Sequence, residues 1–357
     1  MKSFFEGITI LAIVVLAAAP LASCGGGGGG GSGIAPVVVT YEGLVSSVPA
    51  VNYVSDNLLV SSQVTAIRKY SGSGLIAQNT SLDTVASNHA HYLVINGLLS
   101  QPNYLTSLHN GIYGGHYEDP TLQLLGYTGA SPQERATKAG YTGTVTELII
   151  FGAATGTDCV NYLEDSVYHL IYLLSPIVDV GINFNPGNGS GSVCAIELGL
   201  SSNTKGQLPA TGNQMFYPYN GQSGVQPTYN PQTEVPTPPS LTTSSQAGHP
   251  VVVSLYTLAT PSLSGSDIVI NTFSIKPASG VVSLPLPAQV LAYTGVNVTA
   301  FGQNGINDGN IPSAGIVALV PTSPLTPGTT YNVSFSANIQ GQSSVNKTWS
   351  FTTGPQN

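Results

Sequence analysis

The side chains of this sequence that could do chemistry are histidines and carboxylates between positions 116 and 169. His116 and Glu118 are two positions apart, so both side chains point to one face if the segment is extended. Glu147 follows in an apolar stretch, and His169 lies in a helical pattern near Glu164. Two imidazoles with two or three carboxylates could bind a divalent metal ion or perform general acid–base catalysis. Spacing alone is weak evidence and favours hydrogen-bonding or capping roles.

The elements that must position these side chains alternate between helix and strand. Apolar residues repeat every three or four positions from Leu82 to Leu93, and His89 lies on that stripe, as a core histidine would. Ser131-Pro132-Gln133-Glu134 is a capping box with proline at the first helical position. Helices are therefore predicted to begin near Ser81, Ser131 and Asp158, the last ending before Pro176, with strands at Val145–Phe151 and Val193–Leu200. The mixture predicts an α+β unit or a layered sandwich.

The order of these motifs resembles the bacterial branch of the CAP superfamily, also called SCP-like, over roughly Val51–Leu200. The series that carries the resemblance is His89-Ala90-His91-Tyr92-Leu93, Gly115-His116-Tyr117-Glu118, Ser131 to Ala136, Ala139-Gly140-Tyr141, Glu147, Tyr168-His169 and Pro176. The resemblance implies an α-β-α sandwich whose cleft holds two histidines and two glutamates. It assigns His116 and His169 as the histidines and Glu147 as one glutamate.

The fourth member of this tetrad is open between Glu164, which its helix position favours, and Glu118. By resemblance, His116, His169 and Glu147 could hold a divalent metal ion such as zinc. Leu148 and Leu170 depart from the family pattern, in which an asparagine follows the glutamate and a basic residue often follows the second histidine.

The C-terminal third has a different character. Short apolar strands separated by turn residues predict an all-β sandwich over residues 251–357. The phrase Pro324 to Tyr331 and the ending Trp349-Ser350-Phe351-Thr352-Thr353 resemble bacterial Ig-like domains. Residues 215–250 are rich in Pro, Tyr, Thr and Ser, and this composition predicts a linker between a CAP-like domain at 51–214 and the sandwich.

The N-terminus predicts export. Lys2 precedes an apolar run of about a dozen residues, too short for a ~30 Å membrane core but suited to a signal peptide. Leu21-Ala22-Ser23-Cys24 resembles the lipobox of bacterial lipoproteins, which implies a leader at 1–24, a lipid on Cys24 and a location in the cell envelope, on the outer membrane in a Gram-negative cell, facing periplasm or exterior. The glycine-rich stretch at 25–50 then reads as a tether.

Two further cysteines, Cys159 and Cys194, form an even pair in an oxidising compartment. This count favours one disulfide that joins a helix to a strand over two separate buried thiols.

Composition excludes several functions. The chain has 357 residues, 7% of them charged against ~25% in ordinary soluble proteins, and a net charge of −8, which argues against a nucleic-acid partner. The common hydrolase and nucleotide-binding motifs are missing. We therefore expect a non-catalytic envelope lipoprotein whose cleft binds a lipid or other extracellular ligand. The alternative is a metal-assisted hydrolase acting on envelope or extracellular material, with His116 and His169 as ligands and a glutamate as base.

Overall fold

A computed structural model describes residues 12–14, 39–122, 124–189, 191–239, 241–244, 246–279, 284–300 and 304–355. Its helices are α1 (Ser55–Ser71), α2 (Thr80–Ile95), α3 (Pro102–Thr106), α4 (Pro132–Lys138), α5 (Gly156–Glu164) and α6 (Val167–Leu173). The strands up to residue 235 are β1 (Ala12–Val14), β2 (Tyr41–Glu42), β3 (Ala77–Gln78), β4 (Leu108–His109), β5 (Ile112–Tyr113), β6 (Gly143–Phe151), β7 (Asp179–Asn185), β8 (Val193–Ser201), β9 (Gly206–Gln207), β10 (Met215–Tyr217), β11 (Gln222–Val225) and β12 (Glu234–Val235). They are followed by β13 (Val251–Ser254), β14 (Ile268–Pro277), β15 (Ala288–Ala292), β16 (Asn297–Val298), β17 (Asn304–Asn307), β18 (Ile316–Pro321), β19 (Thr330–Ile339) and β20 (Val345–Thr353).

The first half of the chain is a mixed α/β unit built on a sheet with the order β12-β1-β6-β8-β7-β3. Strand β8 pairs antiparallel with both β6 and β7. Successive side chains of β6 point to opposite faces. Leu148 and Ile150 pack with α5 and α6, whereas Ile149 packs with α2. Helices therefore cover both faces of the sheet.

Local sequence explains where the helices begin. The Ser131 hydroxyl accepts from the Glu134 amide at 3.1 Å, as the predicted capping box requires. The reciprocal bond is shifted by one residue, because Glu134 Oε2 accepts from the amide of Ala130, at 3.0 Å, rather than from that of Ser131. The helix expected to open at Asp158 begins at Gly156, because Thr155 is the residue that caps it. That helix does not run on to Pro176; it breaks at Asp165 and Ser166 into α5 and α6.

The last third of the chain is a β-sandwich of two sheets. Their strand orders are β10-β13-β18-β15-β17 and β11-β20-β19-β14-β16. The core between them is apolar and includes Phe273 and Phe335, whose rings meet edge to face, with Trp349 at its side. This arrangement agrees with the all-β sandwich predicted from the sequence.

Residues 215–250 differ from the expected linker because they carry paired strands. Strand β10 pairs with β13, β11 with β20, and β12 with β1. The physical reason is aromatic burial: Tyr217 and Tyr229 are almost completely buried and fasten the segment to the core. Part of the expected tether is folded too, since Tyr41–Glu42 pairs with Gly206–Gln207.

The predicted disulfide is confirmed. Cys159 in α5 and Cys194 in β8 are bonded, with their Cα atoms 6.2 Å apart. The bond joins a helix to the central sheet. Cys24, the predicted lipidation site, lies outside the described residues. Within the described ranges, no helix is long and apolar enough to cross a membrane.

Candidate functional site

The contact between His116 and Glu147 is the centre of the candidate site. His116 lies in a short 3₁₀ turn, Gly114–His116, and Glu147 lies in β6, 31 positions later. The distance from His116 Nδ1 to Glu147 Oε1 is 2.7 Å, and both side chains are completely buried. The structure thus brings together two of the residues that the sequence proposed for the cleft.

A buried guanidinium joins this pair. Arg135 in α4 donates from Nη2 to Glu147 Oε2 at 2.6 Å and from Nη1 to the carbonyl of His116 at 3.0 Å. Because Arg135 bridges the strand and the turn, it fixes the turn that carries His116 against β6. A charge-assisted contact of this length, shielded from water, is stronger than a neutral hydrogen bond.

Glu118 joins the same group through His89. The Nε2 of His89 donates to the carbonyl of Gly115 at 2.8 Å, and its Nδ1 lies 3.1 Å from Glu118 Oε1. Both ring nitrogens of His89 therefore face oxygen atoms of the protein. Glu118 also accepts from the backbone amides of Thr128 and Gly129. His89 is thus a satisfied core histidine, as expected from its place on the apolar stripe.

A third carboxyl group faces the site from the neighbouring strand. Glu197 in β8 is directly opposite Glu147 in the antiparallel pairing and is completely buried. We refer to the side chains of His89, His116, Glu118, Arg135, Glu147 and Glu197 as the ionic cluster.

The pKa values of the carboxyl groups in the ionic cluster are shifted in opposite directions. Burial acts to raise the pKa of Glu147, but the charges of Arg135 and His89 and the hydrogen bond from His116 hold that pKa well below its ordinary value. Burial is likewise outweighed in Glu118, whose pKa is lowered by His89 and Arg135. Burial and the charge of Glu147 raise the pKa of Glu197 well above its ordinary value. Glu147 is therefore the stronger acid of the two facing carboxyl groups.

The structure places His169 and Glu164 in other surroundings. His169 is buried in α6, with its Nδ1 3.7 Å from Glu234 Oε1. Glu164, at the end of α5, lies with Asp165, Tyr217 and His249, a group that we call the acidic cluster. Neither residue makes one of the described contacts of the ionic cluster, where His89 supplies the second imidazole near Glu147.

The donor set of the ionic cluster does not fit a divalent metal ion. Arg135 already neutralises Glu147, and a second cation beside the guanidinium would be repelled. Within the described ranges, no group of three or more His, Cys, Asp or Glu side chains is arranged to hold a metal.

Sequence reasoning missed Arg135 and Glu197 as members of the site. Arg135 belongs to the segment Ser131 to Ala136 that carries the family resemblance, but the resemblance assigns it no role in the site. Glu197 had a usable signal, because it is the one charged residue in the apolar run Val193–Leu200. A charged side chain in a strand buried on both faces needs a partner inside the protein.

Comparisons with known proteins support the C-terminal assignment. The model of the bacterial Ig-like domain family matches residues 286–353. The matching family models do not include the CAP superfamily. No curated protein matches the chain.

One solved structure is similar to part of the chain. It is an outer surface protein from Borrelia burgdorferi, with 17% identity over 41% of this chain and 92% of that one, at a TM-score of 0.31. A TM-score this low does not establish a shared fold. The assignment that stands is a bacterial Ig-like domain at residues 286–353, and together with the disulfide it indicates an extracellular or surface protein.

Proposed function

We propose that this chain is an envelope-anchored binding protein whose α/β domain is CAP-like and takes up an extracellular ligand beside the ionic cluster. The observation that carries the proposal is the 2.7 Å contact between His116 and Glu147, two residues that the family resemblance pairs. Arg135 compensates the charge of Glu147, and burial keeps both groups from water. Such a cluster holds the turn of His116, α4 and β6 in fixed positions, as a preorganised binding site requires.

The predicted location supports the same reading. A lipid on Cys24 would anchor the chain, and the Ig-like domain would act as a spacer or adhesive module. Mass spectrometry of the mature N-terminus tests the anchor: a diacylated Cys24 is expected, and an unmodified residue other than Cys24 would contradict it.

A second candidate, acid–base hydrolysis, is favoured by one observation. Glu147 and Glu197 are adjacent carboxyl groups whose pKa values are shifted in opposite directions, a pattern that catalytic pairs use. In that case Glu147 would act as base and Glu197 as acid. Both carboxyl groups are completely buried, so a substrate could not reach them, and this favours the binding function over hydrolysis.

One experiment separates the two candidates. The purified protein is incubated with isolated envelope fractions, and both its cosedimentation and the released products are measured. We expect saturable cosedimentation, reduced about tenfold or more in His116→Asn and unchanged in His109→Asn, a matched histidine outside the ionic cluster. Release of products by the wild type but not by Glu147→Gln would support the hydrolase instead.

A further inference from the structure

Strands β6 and β12 flank a gap that is one strand wide. They do not pair with each other; both pair with the short strand β1. Its partners are Leu148–Ile150 of β6, in antiparallel register, and Glu234–Val235 of β12, in parallel register. Adjacent strands lie about 4.8 Å apart, so β6 and β12 are separated by about 10 Å.

The strand that fills this gap lies in the predicted leader. Ala12–Val14 is part of the apolar run before Cys24, and removal of the leader would take β1 away. The backbone N–H and C=O groups that β6 and β12 direct toward β1 would then lack their partners. Unpaired strand edges of this kind accept another strand.

The β12 side of the gap is held in place independently of β1. The carboxylate of Glu234 accepts from the amides of Val167 and Tyr168, at 3.0 and 2.6 Å, and from the hydroxyl of Tyr229. These bonds tie β12 to the first turn of α6. The β6 side belongs to the central sheet, so both edges should keep their positions when the leader is absent.

The surroundings of the gap are mainly apolar. Leu148, Ile149 and Ile150 are completely buried. Helix α6 covers the face to which Leu148 and Ile150 point, and the turn with His116 lies on the face of Glu147. Both α6 and this turn contact β1. The two elements that carry His169 and His116 therefore border the gap.

We propose that this gap, in the processed protein, binds an extended apolar peptide segment of a partner protein. The proposal rests on the proposed function and names its ligand class. An extended peptide satisfies both free edges at once, which a lipid chain cannot do because it has no backbone donors. The strand that occupies the gap here has the sequence Ala-Ile-Val, an apolar segment with two β-branched residues, which are the residues that strands favour.

The test uses processed protein from an envelope, verified to begin at Cys24, and a fluorescent peptide of residues Thr9–Ala17 with lysines at both ends for solubility. The control peptide carries Ile13→Pro, because proline lacks the N–H that a central strand needs. We expect saturable binding of the first peptide and at least tenfold weaker binding of the control. The unprocessed chain should also bind at least tenfold more weakly, since its own β1 competes.

Hydrogen exchange provides a second readout that does not depend on affinity. Amides in the segments 148–150 and 234–235 should become protected when the peptide is added. Equal binding of the two peptides, equal binding by processed and unprocessed chains, or no binding would each overturn the proposal. Cosedimentation with envelope fractions that persists without peptide binding would refute this inference alone, whereas peptide binding without cosedimentation would refute the proposed function.

Discussion

The ionic cluster is completely buried and the acidic cluster is partly buried, and only the first contains a guanidinium. In the ionic cluster, Arg135 contributes to the lowered pKa values of Glu147 and Glu118. In the acidic cluster, burial raises the pKa of Glu164 to about 7 and that of Asp165 well above its ordinary value. Burial also lowers the pKa of His249 to about 4, so this imidazole is neutral at pH 7. The comparison teaches that a buried cation, together with a neighbouring imidazole, lowers the pKa of the carboxyl groups that it pairs with, Glu147 and Glu118, but does not offset the burial of Glu197.

Carboxyl groups with lowered and raised pKa values respond to pH in opposite directions. A carboxyl group with a lowered pKa stabilises the fold above its ordinary pKa, and this contribution is lost as the pH falls through the lowered value. A carboxyl group with a raised pKa costs stability as the pH rises from its ordinary value to the raised one. Glu147 and Glu118 should therefore favour neutral pH, whereas Glu164 and Glu197 should favour mildly acidic pH.

The largest loss of unfolding free energy is expected from Arg135→Met, which removes the guanidinium that pairs with the buried carboxylate of Glu147 and leaves only imidazoles beside it. Loss of one partner of a buried ion pair costs about 3–5 kcal/mol of unfolding free energy. Urea denaturation at pH 7 measures it. Lys138→Met is the matched control, because Lys138 is an exposed cation on the same helix, paired with Glu134. An exposed ion pair of this kind contributes little to stability, so this variant should unfold nearly as the wild type does. Equal losses in the two variants would show that Arg135 does not compensate the cluster.

Much of the fold could be predicted because its signals are local. The Ser131 capping box and the strand at Val145–Phe151 are visible in short windows of sequence and agree with the structure within a few residues. The Ig-like sandwich was recognisable from a turn and a final strand near the C-terminus. The disulfide followed from a count of cysteines together with predicted export.

The features that could not be predicted depend on contacts between residues far apart in the sequence. Arg135 reaches Glu147 across 12 positions, and Glu234 caps a helix that begins 67 positions earlier. The proline-rich composition of residues 215–250 predicts a linker, but buried tyrosines pack this segment onto the core of the protein. Such packing leaves no apolar periodicity in the sequence. Leucine at position 148 and isoleucine at position 149 gave no hint that the edge of β6 would take up another strand.

A smaller change in unfolding free energy, and one that stabilises the protein, is expected from Glu164→Gln. Since the pKa of Glu164 is raised from 4.5 to about 7, the wild-type protein should lose unfolding free energy between these pH values. The variant lacks this loss, so it should be more stable than wild type by ~1–3 kcal/mol at pH 8 and equal to it near pH 4.5. His249 titrates in both proteins, so its effect largely cancels in the difference.

Urea denaturation from pH 4.5 to 8 measures this difference. Glu42→Gln, at an exposed position in β2, should shift the curve by less than ~0.5 kcal/mol at every pH. A difference between wild type and Glu164→Gln that does not vary with pH would show that the acidic cluster does not raise the pKa of Glu164.

The smallest change in unfolding free energy, measured at pH 5, is expected from Glu197→Gln. Glu197 is the carboxyl group of the ionic cluster whose pKa is raised rather than lowered. Burial and the neighbouring charge of Glu147 raise the pKa of Glu197 well above its ordinary value, so a neutral amide of the same shape should replace it with a change in unfolding free energy below ~1 kcal/mol at pH 5. Above that pH the variant should become progressively more stable than wild type, since the unfolded wild-type chain gains by ionising this group. Glu147→Gln is the matched control on the facing strand: it removes the carboxylate that Arg135 binds, and it should destabilise the fold at pH 7 by an amount close to that of Arg135→Met. If instead Glu197→Gln is the more damaging of the two, the charges of Glu147 and Glu197 are assigned the wrong way round, and Glu197 is the carboxylate that Arg135 compensates.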